Sequence, residues 1–489
     1  MGADCSGQAP SGASRSLGRA TSPRVTSPAR RIAADVLLRV EQGGAFANLA
    51  LDGALRSAGV LEPREASLAT ELTYGSLRWQ LQLDRTIAAL SDRPPQEVEV
   101  PVRIALRLGV FELLHHPRVP ARAAVNEAVE LVKELGAAKA SGFVNALLRR
   151  IAETRAPPAP PSREVDPAGH VAAVTAHPRW LVERWIAWLG LEETEKLCAA
   201  NQILAPAVVR VVRGKGTVAH AAEMLRAAGV ESQPGRYSPD ALVLAAGAPP
   251  ALHLEGHGEG LFQAQDEAAQ LVSLYAAPAP GSRVLDACAA PGGKACHLAE
   301  LVGPSGSVLA IDLHARKALG IVEQARRLGL TNLRALAADA TLPIPGEADG
   351  SFDLVLVDAP CSGLGTLRRH PEVKLRRTPA DVDRLASLQA RILAQAAKAV
   401  RPGGHLVFAI CTLTPEECDE QVERFLAAHP EYREDPPNWS SGQGTGSPTW
   451  SIDPGALGDC LDDRGRLRTL PHRTGTDGFF AVRLLRGNA

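Results

Sequence analysis

The 489 residues contain no run approaching the ~20 consecutive apolar positions that a membrane-crossing helix needs. The amino-terminal stretch holds no apolar h-region of a secretory signal either. Neither sign of charge is in excess, with 53 Lys plus Arg against 54 Asp plus Glu. The whole chain is therefore not a polybasic binder, and any polyanionic partner must meet a local patch. The eight cysteines form no C-x-x-C pair and keep no regular spacing, which argues against a disulfide framework or a zinc finger and for a reducing compartment. A cytoplasmic, monomeric protein with no membrane or metal partner is expected. What is present is an ordinary globular composition, 45% hydrophobic and 22% charged, over a length that implies roughly two to four domains.

The first 26 residues are rich in Ser, Gly, Pro and Arg with a single acid, Asp4, and read as a disordered tail that includes Cys5. From 27 to 155 the apolar residues recur at helical spacing, with Ile32, Val36, Leu37 and Val40 on one stripe. Gly43-Gly44, Gly59, Pro63, Pro94-Pro95, Pro117 and Gly136 cut this segment into six or seven helices. A Pro-rich linker follows at 156–169. Residues 170–259 mix helical stretches with strand-like "AVVRVV" and "ALVLAA", a small α/β subdomain. From 260 to 489 strands alternate with helices in "RVLDAC", "SVLAID", "LRALAAD", "FDLVLVDA", "GHLVFAI" and "GFFAVRLL". That alternation predicts an α/β doubly wound, Rossmann-like sheet with its ligands at the carboxyl ends of the strands.

Those carboxyl ends carry Asp286, Asp312, Asp339, Asp358 and Cys411. One such acid is unremarkable, because an Asp often caps the helix that follows; five polar ends on one edge define a site. In "DAPCSG" Cys361 follows the fourth strand, so two strands deliver thiols to one place. The turn "DACAAPGGK" lacks both the G-x-G-x-x-G spacing and the first glycine of a phosphate loop. A helix N-terminus with Lys294 suits a carboxylate instead, and Asp312 suits a ribose diol. A ligand with both groups and no phosphate points to S-adenosylmethionine.

The stretches "DACAAPGGK", "DAPCSGLGTLRRHPEVK", "CTLTPEEC" and "LPHRTGTDGFFAVRLL" resemble the successive motifs of RNA cytosine-5 methyltransferases of the RsmB/NOP type. The helical segment ahead of them is similar to the NusB-like domain of the bacterial branch that methylates small-subunit (16S) ribosomal RNA. One position departs from the pattern: Ile410 stands before Cys411, where Thr or Ser is usual. The resemblance implies a NusB-like bundle, a small α/β subdomain and a class I methyltransferase domain. It also implies cofactor contacts from Cys288, Ala289, Ala290, Pro291, Gly292, Gly293, Lys294, Asp312, Asp339 and Asp358, with Cys411 as nucleophile and Cys361 as its assistant. The chemistry asks for such a set. Carbon 5 of cytosine is too electron-poor to take a methyl group unaided, and a thiolate adding to carbon 6 corrects that. An acid such as Asp358 then supports charge at the ring nitrogen, and a second group such as Cys361 handles the departing proton.

The run "LRRHPEVKLRR" holds five Lys or Arg against one Glu directly after Cys361. Arg368, Arg369, Lys374, Arg376 and Arg377 are read as a phosphate-gripping RNA loop, against the alternative of a solvated face. Arg30, Arg31, Arg149 and Arg150 are candidates to extend that surface. Cys198, Cys296, Cys418 and Cys460 are read as core filler. Competing functions are methylation of transfer RNA or another RNA, methylation of a small molecule, and a non-catalytic NusB-like RNA-binding factor.

Overall fold

The computed structural model describes residues 26–91, 93–437 and 456–488. Almost all of the amino-terminal tail, Cys5 included, lies outside these. Six helices form the first body: α1 (Pro28–Gly43), α2 (Ala47–Ser57), α3 (Pro63–Leu90), α4 (Val100–His115), α5 (Ala121–Glu134) and α6 (Ser141–Thr154). Proline opens α1 and α3, where its missing N–H costs nothing. The α1 stripe Ile32, Val36, Leu37 and Val40 is buried, while α4 is buried over most of its surface and forms the centre of the bundle. A Cβ on Gly75 of α3 would sit inside the Phe111 ring of α4, so only glycine allows these helices to approach so closely.

The Pro-rich segment is fixed to the bundle, since Arg85 of α3 donates to the carbonyls of Pro158 and Ala159. Its end is already helical, because α7 (Pro167–Thr175) starts inside the expected linker, with the Asp166 side chain accepting from the Gly169 amide. After α8 (Arg179–Leu189) and α9 (Leu191–Asn201) comes a sheet of four antiparallel strands. In chain order these are β1 (Val208–Val211), β2 (Ser232–Pro234), β3 (Ala241–Leu244) and β4 (Phe262–Ala264), with α10 (Val218–Ala227) between β1 and β2. Their spatial order is β2-β3-β1-β4. The fourth strand comes from beyond residue 259, where the small subdomain was expected to end.

The larger sheet holds five parallel strands in the order β7-β6-β5-β8-β9. They are β5 (Arg283–Asp286), β6 (Ser307–Asp312), β7 (Leu333–Ala337), β8 (Phe352–Asp358) and β9 (Val400–Ile410). Helices α11 (Glu267–Ala276), α12 (Gly293–Val302), α13 (Ala315–Leu328), α14 (Val373–Arg376), α15 (Pro379–Ala399), α16 (Asp419–Ala428) and α17 (Pro471–Thr474) lie around it. Of these, α15 opens with a capping box between Thr378 and Asp381. The remaining strands are β10 (Tyr432–Glu434), β11 (Leu467–Thr469) and β12 (Phe479–Arg486). β12 runs antiparallel between β9 and β10, an inversion that alternation alone does not reveal.

Two apolar layers cover the sheet, and a third cluster reaches across to the helices before it. Trp185 of α8 is fully buried in that third cluster with Leu364, Leu367 and Leu413, and its indole N–H donates to the Leu413 carbonyl at 2.9 Å. The loops after β8 and β9 are thus packed from outside the sheet. Burying each such side chain contributes roughly 1.5–3 kcal/mol.

Candidate active site

β8 and β9 run parallel with Asp358 opposite Ala409, so the residues that follow them emerge side by side. The Ala359 amide still bonds to the Ala409 carbonyl, and then the chains turn outward at Cys361 and Cys411. Their sulfurs stand 3.4 Å apart, each partly exposed. Gly365 closes the first turn: its N–H donates to the Cys411 carbonyl and its own carbonyl accepts from the Gly478 N–H. A side chain on Gly365 would overlap the Gly478 carbonyl, so the approach of the β8 loop to β12 requires glycine.

The two thiols are not equivalent. Contact with the Cys411 sulfur, followed by burial, raises the Cys361 thiol well above its ordinary range. Lys294 faces the other sulfur electrostatically and donates to Asp358 at 2.7 Å, with its ammonium 5.0 Å from the centre of the Phe479 ring. Burial lowers the lysine's proton affinity, but Asp358 and Cys411 more than reverse it, and the net direction is upward. Lys294 therefore stays charged and is shared with Asp358.

The remaining acids line the same edge. Asp286 is fully buried with no side-chain hydrogen-bond partner, and burial, then the charge of Asp358, lift it to about 7. Asp312 accepts from the His314 amide with one oxygen. Asp339 accepts from the amide and hydroxyl of Thr341 with one oxygen, the contacts that hold it below the usual carboxylate range. Each thus caps its own loop and keeps its second oxygen for something else. Between β5 and α12 the turn from Cys288 to Gly293 crosses the sheet edge, where the Ala289 amide bonds to the Ile311 carbonyl. Gly292 adopts φ +104° with its Cα hydrogen toward Ile321. Burial, reinforced by the neighbouring acids, raises the Cys288 thiol.

The basic run does not form the free loop expected of it. Arg368 is buried and donates to the carbonyls of Ile203 and Gly475. Arg369 bridges Asp266 and Asp477 at 2.7 and 2.9 Å. Lys374 is buried with its ammonium on the Arg78 carbonyl of α3. Arg376 donates to the carbonyls of Val40, Gly44 and Ala45, and Arg377 donates to the Ser362 carbonyl. These cations satisfy backbone and carboxylate acceptors of the protein itself, so the run is a dock between the helical bundle and the Cys361 loop. Arg30 and Arg31 are likewise drawn into ion pairs, with Glu112 and with Asp35 and Glu134. Arg150 donates to the Leu90 carbonyl, and Arg149 is exposed.

Cys198, Cys296, Cys418 and Cys460 are all buried. Among the described residues no group of His, Cys, Asp and Glu is arranged to hold a metal, and no helix is long and apolar enough to cross a membrane. Sequence reading missed the groups beneath the thiols, namely Ser362, Thr412, Thr414, Glu417 and Gln389, all fully buried. The available signal was a hydroxyl residue directly after each cysteine. Ile410 lies buried against the apolar face of the sheet and needs no hydrogen bond.

Three segments match known families: 27–153 the NusB family, 177–250 the ferredoxin-like domain of RsmF/B-like methyltransferases, and 273–485 the 16S rRNA methyltransferase RsmB/F family. The chain is 37% identical over 454 residues to the probable ribosomal RNA small subunit methyltransferase B of Bacillus subtilis, covering 92% of this chain and 97% of that protein. It is 37% identical over 399 residues to ribosomal RNA small subunit methyltransferase B of Pseudomonas syringae, covering 81% and 86%. Among solved structures, that of PH0851 aligns with a TM-score of 0.78 at 26% identity, over 94% of this chain and 99% of the other. NSun6 from Pyrococcus horikoshii aligns over 65% and 100% with a TM-score of 0.54 at 21% identity, a likeness of fold.

Proposed function

The chain belongs to the RsmB/F family of 16S rRNA methyltransferases, and on that premise we propose that it moves the methyl group of S-adenosylmethionine to carbon 5 of a cytosine in small-subunit ribosomal RNA. The observation that carries this reading is the pair of thiols 3.4 Å apart on adjacent parallel strands. A methyltransferase acting on oxygen or an exocyclic nitrogen has no need of a thiol pair, whereas carbon 5 must be activated by a nucleophile at carbon 6.

The edge of the sheet fits the cofactor. The free oxygens of Asp312 and Asp339 suit a ribose diol, and the N-terminus of α12 suits a carboxylate. Cys288 to Gly293, with Asp312 and Asp339, would hold S-adenosylmethionine, which when bound supplies the methyl group. Cys411 bonds to carbon 6 of cytosine, with Lys294 facing the sulfur, and the ring becomes nucleophilic at carbon 5. Asp358, ion-paired with the Lys294 ammonium at 2.7 Å, accepts a hydrogen bond from the ring nitrogen once that nitrogen has taken a proton from solvent. After methylation the carbon 5 proton leaves to the Cys361 sulfur, whose own proton has first been lost to solvent at this partly exposed edge. The carbon 6–sulfur bond then breaks and returns Cys411.

Incubating the protein with methyl-labelled cofactor and small-subunit ribosomal RNA is expected to put label in 5-methylcytosine. Label confined to another position would refute the carbon 5 assignment. Asp312→Ala is expected to fold and to bind the cofactor roughly tenfold more weakly by calorimetry, because a diol contact made in ground and transition states alike is lost. An unchanged affinity would remove Asp312 from the cofactor site.

A further inference from the structure

Beneath the thiols lies a polar cluster that the chemistry above does not use. Glu417 is completely buried, and four donors converge on its carboxylate. They are the Ser362 amide at 2.9 Å, the Ser362 hydroxyl at 2.5 Å, the Thr414 hydroxyl at 2.8 Å and the Gln389 amide at 2.9 Å. Ser362 and Thr412, the residues directly after Cys361 and Cys411, stand 2.5 Å apart, hydroxyl to hydroxyl. Gln389 of α15 also donates to the Pro360 carbonyl at 3.0 Å, the residue before Cys361. A carboxylate only accepts, so the Ser362 proton goes to Glu417 and the Thr412 proton goes to Ser362. The chain of donation runs from the Cys411 loop through the Cys361 loop into one buried charge.

Burying a carboxylate is expensive unless every lone pair is met, and an apolar core would hold two strand ends together without it. What an apolar core does not do is fix the distance between two loops through directional bonds. We infer that Glu417 is a positioning residue which, through Ser362 and Thr412, holds the Cys361 and Cys411 sulfurs face to face. This inference rests on the assignment of both thiols to one reaction. Loss of the clamp leaves RNA binding alone and lowers turnover, because a misplacement of about 1 Å costs on the order of 100-fold.

Three variants of the full chain test it. Thr412→Val removes the hydroxyl at constant shape, Thr412→Ser restores it, and Glu417→Gln replaces an acceptor by a donor. Dibromobimane bridges two thiols by losing two bromides and reads their proximity without RNA, with Cys361→Ala as blank. Parent and Thr412→Ser are expected to cross-link alike, and Thr412→Val and Glu417→Gln at least about fivefold less. In methylation, kcat of the latter two should fall roughly 10- to 100-fold with KM for RNA within about twofold, and Thr412→Ser should stay near parent. Parent-like cross-linking of Thr412→Val, or failure of Thr412→Ser to rescue, would overturn the inference. Should Glu417→Gln not fold, the Thr412 pair decides. Cross-linking that follows this pattern in a parent that forms no 5-methylcytosine would refute the proposed reaction and leave the clamp standing.

Discussion

Cys411→Ala protein is expected to yield neither methylated RNA nor a denaturant-stable protein–RNA complex, while Cys361→Ala yields the complex and little turnover. The two sulfurs are 3.4 Å apart, and only one of them can attack carbon 6. The Cys361 thiol is pushed up by its contact with Cys411 and by burial, whereas Lys294 faces Cys411. Without Cys411 no adduct forms, and product falls below detection. Without Cys361 attack and methylation proceed, but the carbon 5 proton has no acceptor, so release slows by about 10²- to 10⁴-fold and the adduct accumulates on a denaturing gel with cofactor present. A covalent band from Cys411→Ala and none from Cys361→Ala would reverse the two roles.

The second large effect concerns stability. Lys374 is buried with its ammonium on the Arg78 carbonyl, and burial, then the Arg78 charge, lower it from 10.5 to about 7. A folded chain that gives up a proton more easily than the unfolded one is penalised wherever the unfolded chain holds that proton. The penalty is full below pH ~7, falls as pH rises toward the unfolded lysine's value near 10.5, and is gone above it. Lys374→Met, which keeps the aliphatic stem, should therefore stabilise the protein by about 3 kcal/mol at pH 6. Its advantage over the parent should shrink steadily between pH 7 and 10. Unfolding midpoints of parent and variant across that range check the sign, and parallel curves would mean that Lys374 carries no such penalty.

The contrast between these two positions marks what the chain discloses on its own. An apolar run ending in Asp-Ala-Pro-Cys announces a strand whose end faces a ligand, because burial and polarity are both local properties of the run. Asp286, Asp312, Asp358 and Cys411 stood out for that reason, and they do share one edge. The fate of Lys374 is not local: its acceptor is a carbonyl 296 positions away, and a carbonyl is the same in every residue. A count of charges cannot distinguish a cation reaching for phosphate from one reaching for a helix. The three-residue β4 carries too short a pattern to be assigned to the sheet of β1, and Glu417 gave no signal because its donors are common hydroxyls and amides. Element types are written in periodicity, whereas partners are written in the fold.

The antiparallel insertion of β12 has a consequence for the order of events during synthesis. Gly478, at its start, holds the Gly365 turn, and that turn holds the Cys411 carbonyl. While the chain is still on the ribosome, both cysteines emerge well before the strand that completes their surroundings. Pairings of this kind close late, because distant segments must first meet. A nascent chain thus carries Cys361 and Cys411 without the contacts through Gly365 and Gly478 that bring their two loops together until β12 has been made.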